Sequence, residues 1–145
     1  MSAIQNVYRL MLRDQVAPEL RGLGLKGSGG LYRLDTDDCW ARLGFQSSRY
    51  NTGETMRFTV NLCVVSRLVW ESARRELPHL PPQPSPTFAY VGGRRATWHC
   101  RIGACMPGGQ DLWWSLTSEK QVVELSGEVV AAVRDFGLPE LRKRL

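Results

Sequence analysis

The residues with the most chemical potential lie at alternate positions of two apolar-polar segments. Arg57, Thr59 and Asn61 alternate with Met56, Phe58, Val60, Leu62 and Val64, and His99 and Arg101 alternate with Trp98, Cys100 and Ile102. Period-two alternation puts each polar set on one face of a strand. A third segment, from about Cys39 to Ser48, offers Arg42, Gln46 and Ser48 with parity opposite to Ala41, Leu43 and Phe45, and Trp40 shares the polar parity. Gathered on one sheet, these groups form a surface of directional donors and acceptors beside an aromatic wall. Such a surface suits recognition of a polar or anionic partner. The plainer alternative is a solvated antiparallel face, although Lys and Glu are more usual there than Thr, Asn, Gln, His and Arg. Trp113 and Trp114 are further candidates as interface anchors, since tryptophan is enriched at hot spots. A core role for at least one of them is the simpler expectation.

Catalytic chemistry has less support. His99 is the one attractive general base, because His79 lies in a proline-rich stretch, and no spacing ties Ser47, Ser48 or Cys63 to a base and an orienting acid. A metal site from His99, Cys100 and Cys105 would need ligands from opposite faces of a strand, so neither metal nor cofactor is expected. Gly22, Gly24 and Gly27 match the GxGxxG spacing, but they follow a helix and lead into a strand, the reverse of the dinucleotide-binding context.

The elements that must position these groups follow from the pattern. Ser2 caps a first helix carrying Ile4, Val7, Tyr8, Met11 and Leu12, which Pro18 interrupts or restarts. Residues 27–30 read as a flexible glycine loop. Leu31–Leu34 and Cys39–Ser48 read as a hairpin around an Asp-rich turn, and the alternating strand from Met56 follows. Leu68–Leu77 suits a short helix. Residues 78–86 hold five prolines and read as an extended connector, within a proline- and glycine-rich loop over 78–96. After the fourth strand, Ser118 and Gln121 form a capping box for the last long helix. The expected architecture is therefore one α+β domain over 1–145. About four antiparallel strands carry the N- and C-terminal helices on one face and leave a polar opposite face.

With 145 residues, 43% hydrophobic and 23% charged, the chain is long and apolar enough to bury a core. Its formal charge of +5 comes almost wholly from arginine, as Lys26, Lys120 and Lys143 are the only lysines. A positive excess favours an acidic partner, protein or nucleic acid. The four cysteines form no CxxC pair and read as free thiols. With no signal-peptide pattern and no membrane-length apolar run, a cytoplasmic location without membrane association is expected.

Taken together, Phe45-Gln46-x-Ser48, Phe58-Thr59-Val60-Asn61-Leu62, Arg101-Ile102-Gly103 and Asp111-x-Trp113-Trp114 resemble the bacterial domain-of-unknown-function family 4304 over nearly the whole chain. The resemblance implies a compact α+β bacterial protein and carries no catalytic residues with it. The functional expectation is a non-catalytic protein-binding module, of the immunity or antitoxin kind, whose partner is another bacterial protein. Two alternatives stand beside it: a nucleic-acid or phosphate-ligand binder using Arg42, Arg57, Arg101 and Trp40, and a small enzyme with His99 as acid or base.

Overall fold

The computed structural model describes residues 2–87 and 97–145. The remainder of the expected 78–96 loop lies outside the described residues. The N-terminal helix α1 (Ala3–Met11) opens on the capping box of Ser2 and Gln5 and buries Ile4, Tyr8 and Met11. Pro18 does not end it. The helix widens into a π turn over Leu12–Val16 and resumes as α2 (Ala17–Gly22), so the proline falls in a first turn, where its missing N–H is tolerated. The same arrangement recurs at the other end of the chain. There α4 (Val122–Ala132) passes through a π turn over Val133–Gly137 into α5 (Leu138–Lys143), with Pro139 at its start.

Among the described residues the sheet has six strands: β1 (Lys26–Ser28), β2 (Leu31–Leu34), β3 (Cys39–Ser47), β4 (Met56–Ser66), β5 (Thr97–Arg101) and β6 (Trp114–Leu116). The order is β1-β2-β3-β4-β5, with β6 also paired to β4, and every pairing is antiparallel. The four expected strands are present, and β1 and β6 are additions. The glycine stretch forms β1 and its turn instead of a loose loop. Gly27 (φ +141°) crosses so close to β2 that a Cβ would stand 2.2 Å from the Leu31 carbonyl oxygen.

One face of the sheet carries Ala41, Leu43, Phe58, Val60, Leu62 and Val64, and the N- and C-terminal helices cover it in one continuous apolar core. The opposite face is more covered than a solvated face would be. Helix α3 (Arg67–Glu76), capped by Ser66, packs Trp70 and Ala73 with Cys63, Val65 and Leu80 into a second apolar cluster. The proline-rich segment closes over that face, with Pro84 and Pro86 buried and the Trp70 indole N–H donating to the Pro81 carbonyl at 3.0 Å. As far as residue 87, this segment is thus a packed part of the fold and not a bare connector.

Candidate functional site

The antiparallel register places the residues singled out by parity on this second face. Gln46 pairs with Thr59; Asn61 pairs with both Gly44 and Arg101; Cys63 pairs with both Arg42 and His99; Trp40 pairs with Val65. Pro86 crosses the face at Gly44, so close that a Cβ there would press on its ring. The expected single concave surface is divided there into two clefts.

The first cleft, of about 490 Å³, is lined by Gln46, Ser47, Ser48, Arg49, Tyr50, Arg57, Arg101 and Trp113. Its side chains are held from several directions. Asn51 accepts from the Arg57 N–H at 2.7 Å and donates to the Arg57 carbonyl at 3.2 Å, extending the ladder past the strand end as a neighbouring strand would. Ser48 lies just beyond β3, where its N–H donates to the same carbonyl and its hydroxyl accepts from the Tyr50 N–H. Asp111 accepts from Arg101 at 2.9 Å and from the Trp113 indole N–H at 3.0 Å through one carboxylate oxygen. The guanidinium carbons of Arg101 and Arg57 lie 5.0 and 5.8 Å from the Trp113 ring centroid, within cation–π range. Arg49 stands in the same relation to Tyr50, which is 76% exposed. The cleft therefore presents three guanidiniums, two aromatic rings, hydroxyls and an amide, with Asp111 at its rim.

Three of the expected binding residues are placed otherwise. Thr59 and Asn61 are 0% and 1% exposed and face no solvent. Their polar atoms are used internally: the Thr59 hydroxyl donates to the Leu112 carbonyl at 2.6 Å, and the Asn61 amide donates to Gln46 at 2.7 Å. They fasten the 102–113 loop and β3 to the central strand, because burial without a partner is costly. Trp114 is also removed from the set of interface anchors. It is 6% exposed and stacks on Phe58 at 5.6 Å inside the core, leaving Trp113 as the half-buried member of the pair.

The second cleft, of about 300 Å³, is lined by Arg33, Leu34, Asp35, Trp40, Ala41, Arg42, Arg67 and Gln83. Trp40 and Arg42 belong here and are separated from Arg57, Arg101 and Trp113. His99 lines neither cleft. It is an exposed residue; partial desolvation of its ring lowers the imidazole pKa, a bond to the Pro86 backbone raises it, and Arg101 lowers it further. Arg49, Tyr50, Arg33, Arg67 and Gln83 were not singled out by parity. They come from a turn, a helix start, the four-residue strand β2 and the proline segment, where alternation gives little or no signal. The adjacency of Arg49 and Tyr50 is the one local clue to those two members of the first cleft.

Among the described residues no group of His, Cys, Asp and Glu side chains is arranged to hold a metal ion, and no helix is long and apolar enough to cross a membrane. Residues 16–143 match the family described as "Domain of unknown function (DUF4304)". No curated protein and no solved structure matches the chain.

Proposed function

Since the chain belongs to the DUF4304 family, whose description assigns no activity, we propose from the geometry of the first cleft that it is a non-catalytic binding module for an acidic surface of another protein. The observation that carries this reading is the placing of the Arg57 and Arg101 guanidiniums within cation–π range of Trp113, with Asp111 bonded to both Arg101 and Trp113. Arg, Trp and Tyr are the residues that dominate interface energetics, and Lys is depleted there. All the cations of this cleft are arginines, and Asp111 holds two of the anchoring groups before a partner arrives. Such pre-ordering lowers the entropy cost of association. The finer reading is an immunity- or antitoxin-type protein of a bacterial cytoplasm. The family resemblance bears only on the bacterial origin, and the free thiols Cys39, Cys63, Cys100 and Cys105 suit a reducing compartment; the immunity- or antitoxin-type role follows from the partner-binding cleft.

The test is a photo-crosslinking residue at Tyr50 in the native host. The expected result is one stoichiometric protein adduct that disappears in Arg57→Glu and Arg101→Glu. No adduct, or an adduct indifferent to both charge reversals, would sink the proposal. A second reading is single-stranded nucleic acid, favoured by the net charge of +5 and by a ring flanked with guanidiniums on which a base could stack. Affinity for mixed-sequence oligonucleotides that falls steeply with salt and is lost in Trp113→Ala would select it.

A further inference from the structure

The second cleft contains an electrostatic arrangement that the fold leaves unbalanced. Register places Arg33 directly opposite Arg42 across β2 and β3. Like charges facing each other in an antiparallel pair are destabilising unless something neutralises them. Arg33 has a counter-charge, as its Nε lies 3.1 Å from Asp35, the one carboxylate lining the cleft. That carboxylate is shared with Lys26. Arg42 has none. Its Nη2 donates to the neutral amide oxygen of Gln83, and its Nε is buried without a hydrogen-bond partner.

Arg67, from the start of α3, adds a third guanidinium. It lies 3.7 Å from the Trp40 ring centroid, with Arg42 5.3 Å from the same ring. The bonds of Arg67 go to the backbone carbonyls of Thr36 and Cys39, which carry no charge. The Trp40 indole N–H is a second buried donor without an acceptor. Orphaned buried donors are uncommon in folded proteins, and two on neighbouring residues of one cleft require an explanation. Burial disfavours the charge on Arg42; the adjacent Cys63 favours it, and Arg33 and Arg67 disfavour it further.

The geometry points to a binding site for a small oxyanion, a phosphate group, between Arg42 and Arg67 beside Trp40. Guanidinium forks match phosphate oxygens. The doubly negative form of phosphate would neutralise the two guanidiniums that have only neutral partners. A cleft of about 300 Å³ suits a free ion or a small monoester and not a polymer. Gln83 is the side chain that yields, because its amide occupies the place the anion would take at Arg42. This site stands apart from the proposed protein-binding cleft, and either can fail without the other.

The test is calorimetric titration of the full chain at constant ionic strength, with inorganic phosphate in one arm and adenosine 5′-monophosphate in the other. Phosphate is expected to bind, and Arg42→Gln should weaken it by about tenfold or more. Arg67→Lys, which keeps the charge and loses the fork, should weaken it as well. Arg134→Gln, which changes net charge equally on a distant exposed helix turn, should leave it unchanged. Tighter phosphate binding identifies the free ion as the ligand, tighter monophosphate binding identifies an ester, and equal affinity supports a site that reads the phosphoryl group alone. Absence of binding at millimolar phosphate overturns the proposal. So does wild-type affinity in Arg42→Gln, or a loss confined to Arg101→Gln. Arg42→Gln removes a repulsive charge, so its thermal midpoint in phosphate-free buffer should not fall below that of the parent.

Discussion

The ring of Pro86 rests on the backbone of Gly44: a Cβ placed at Gly44 would stand 3.0 Å from the Pro86 Cγ and 3.1 Å from its Cβ. This contact separates the two clefts and holds the proline segment to the sheet. Gly44→Ala should therefore destabilise the protein by about 1–3 kcal/mol, the usual cost of forcing extra volume into a close contact. A urea midpoint equal to that of the parent would show that the segment yields freely.

Gly103 is a more severe case. A Cβ there would meet the Gln110 carbonyl oxygen at 2.1 Å and the Leu112 backbone nitrogen at 2.6 Å, and neither is the end of a flexible side chain. The loop it would displace carries Asp111 and Trp113, and Thr59 bonds to the Leu112 carbonyl within it. Gly103→Ala should cost about 3 kcal/mol in denaturant unfolding. It should also abolish the Tyr50 crosslink, whereas Gly44→Ala, on the far side of Gln46, should weaken it less.

The paired tryptophans should separate cleanly. Trp114→Ala removes a buried ring stacked on Phe58 and should cost about 3–5 kcal/mol. Trp113→Ala removes a half-buried ring at the cleft and should cost far less stability while eliminating partner capture. Similar unfolding midpoints for the two variants would contradict the assignment of one to the core and the other to the cleft.

His99 gives a pH signature. His99 is exposed, yet partial desolvation of its ring, with a smaller effect of Arg101, holds its folded pKa below the ordinary value of 6.5, so the unfolded chain binds its proton more readily than the folded one. Stability from this residue is present above the ordinary value and is lost as pH falls through it towards the lower folded value. His99→Gln should flatten that acid limb in thermal midpoints measured across the range. An unchanged slope would assign the limb to another group.

Cys63 should be inert in the native state. It is fully buried, and burial pushes its thiol up to about 12, against the weaker opposing effects of Arg42. The thiolate is the reactive form. Iodoacetamide at mildly alkaline pH should therefore leave Cys63 unmodified until the chain is unfolded, as peptide mapping would show. Rapid native-state alkylation would place it nearer solvent.

Much of this arrangement was legible in the order of residues, and the exceptions have common physical causes. The alternation of β4 was enough to put Arg57, Thr59 and Asn61 on one face, and register then joined Gln46 and Arg101 to them. Alternation reports a face but not what lies on top of it. Thr59 and Asn61 are buried by segments distant in the chain, so their structural role could not be read locally. Strands β1 and β6 have three residues each, too few to establish a period. Around Trp40, Arg42 was legible from parity, but its companions Arg67 and Gln83 were not, for a related reason. Arg67 begins a helix and Gln83 sits among prolines, and both reach the sheet only through the tertiary fold.

The short strand β1 also has a consequence for how copies of this chain meet. An outer strand with unsatisfied backbone groups invites another chain to add to the sheet, the first step towards fibrous aggregates. β1 offers three residues to such a visitor. They include the charged Lys26 and Gly27, whose positive φ departs from the extended form that a long ladder needs. This border of the sheet is therefore a poor template for polymerisation.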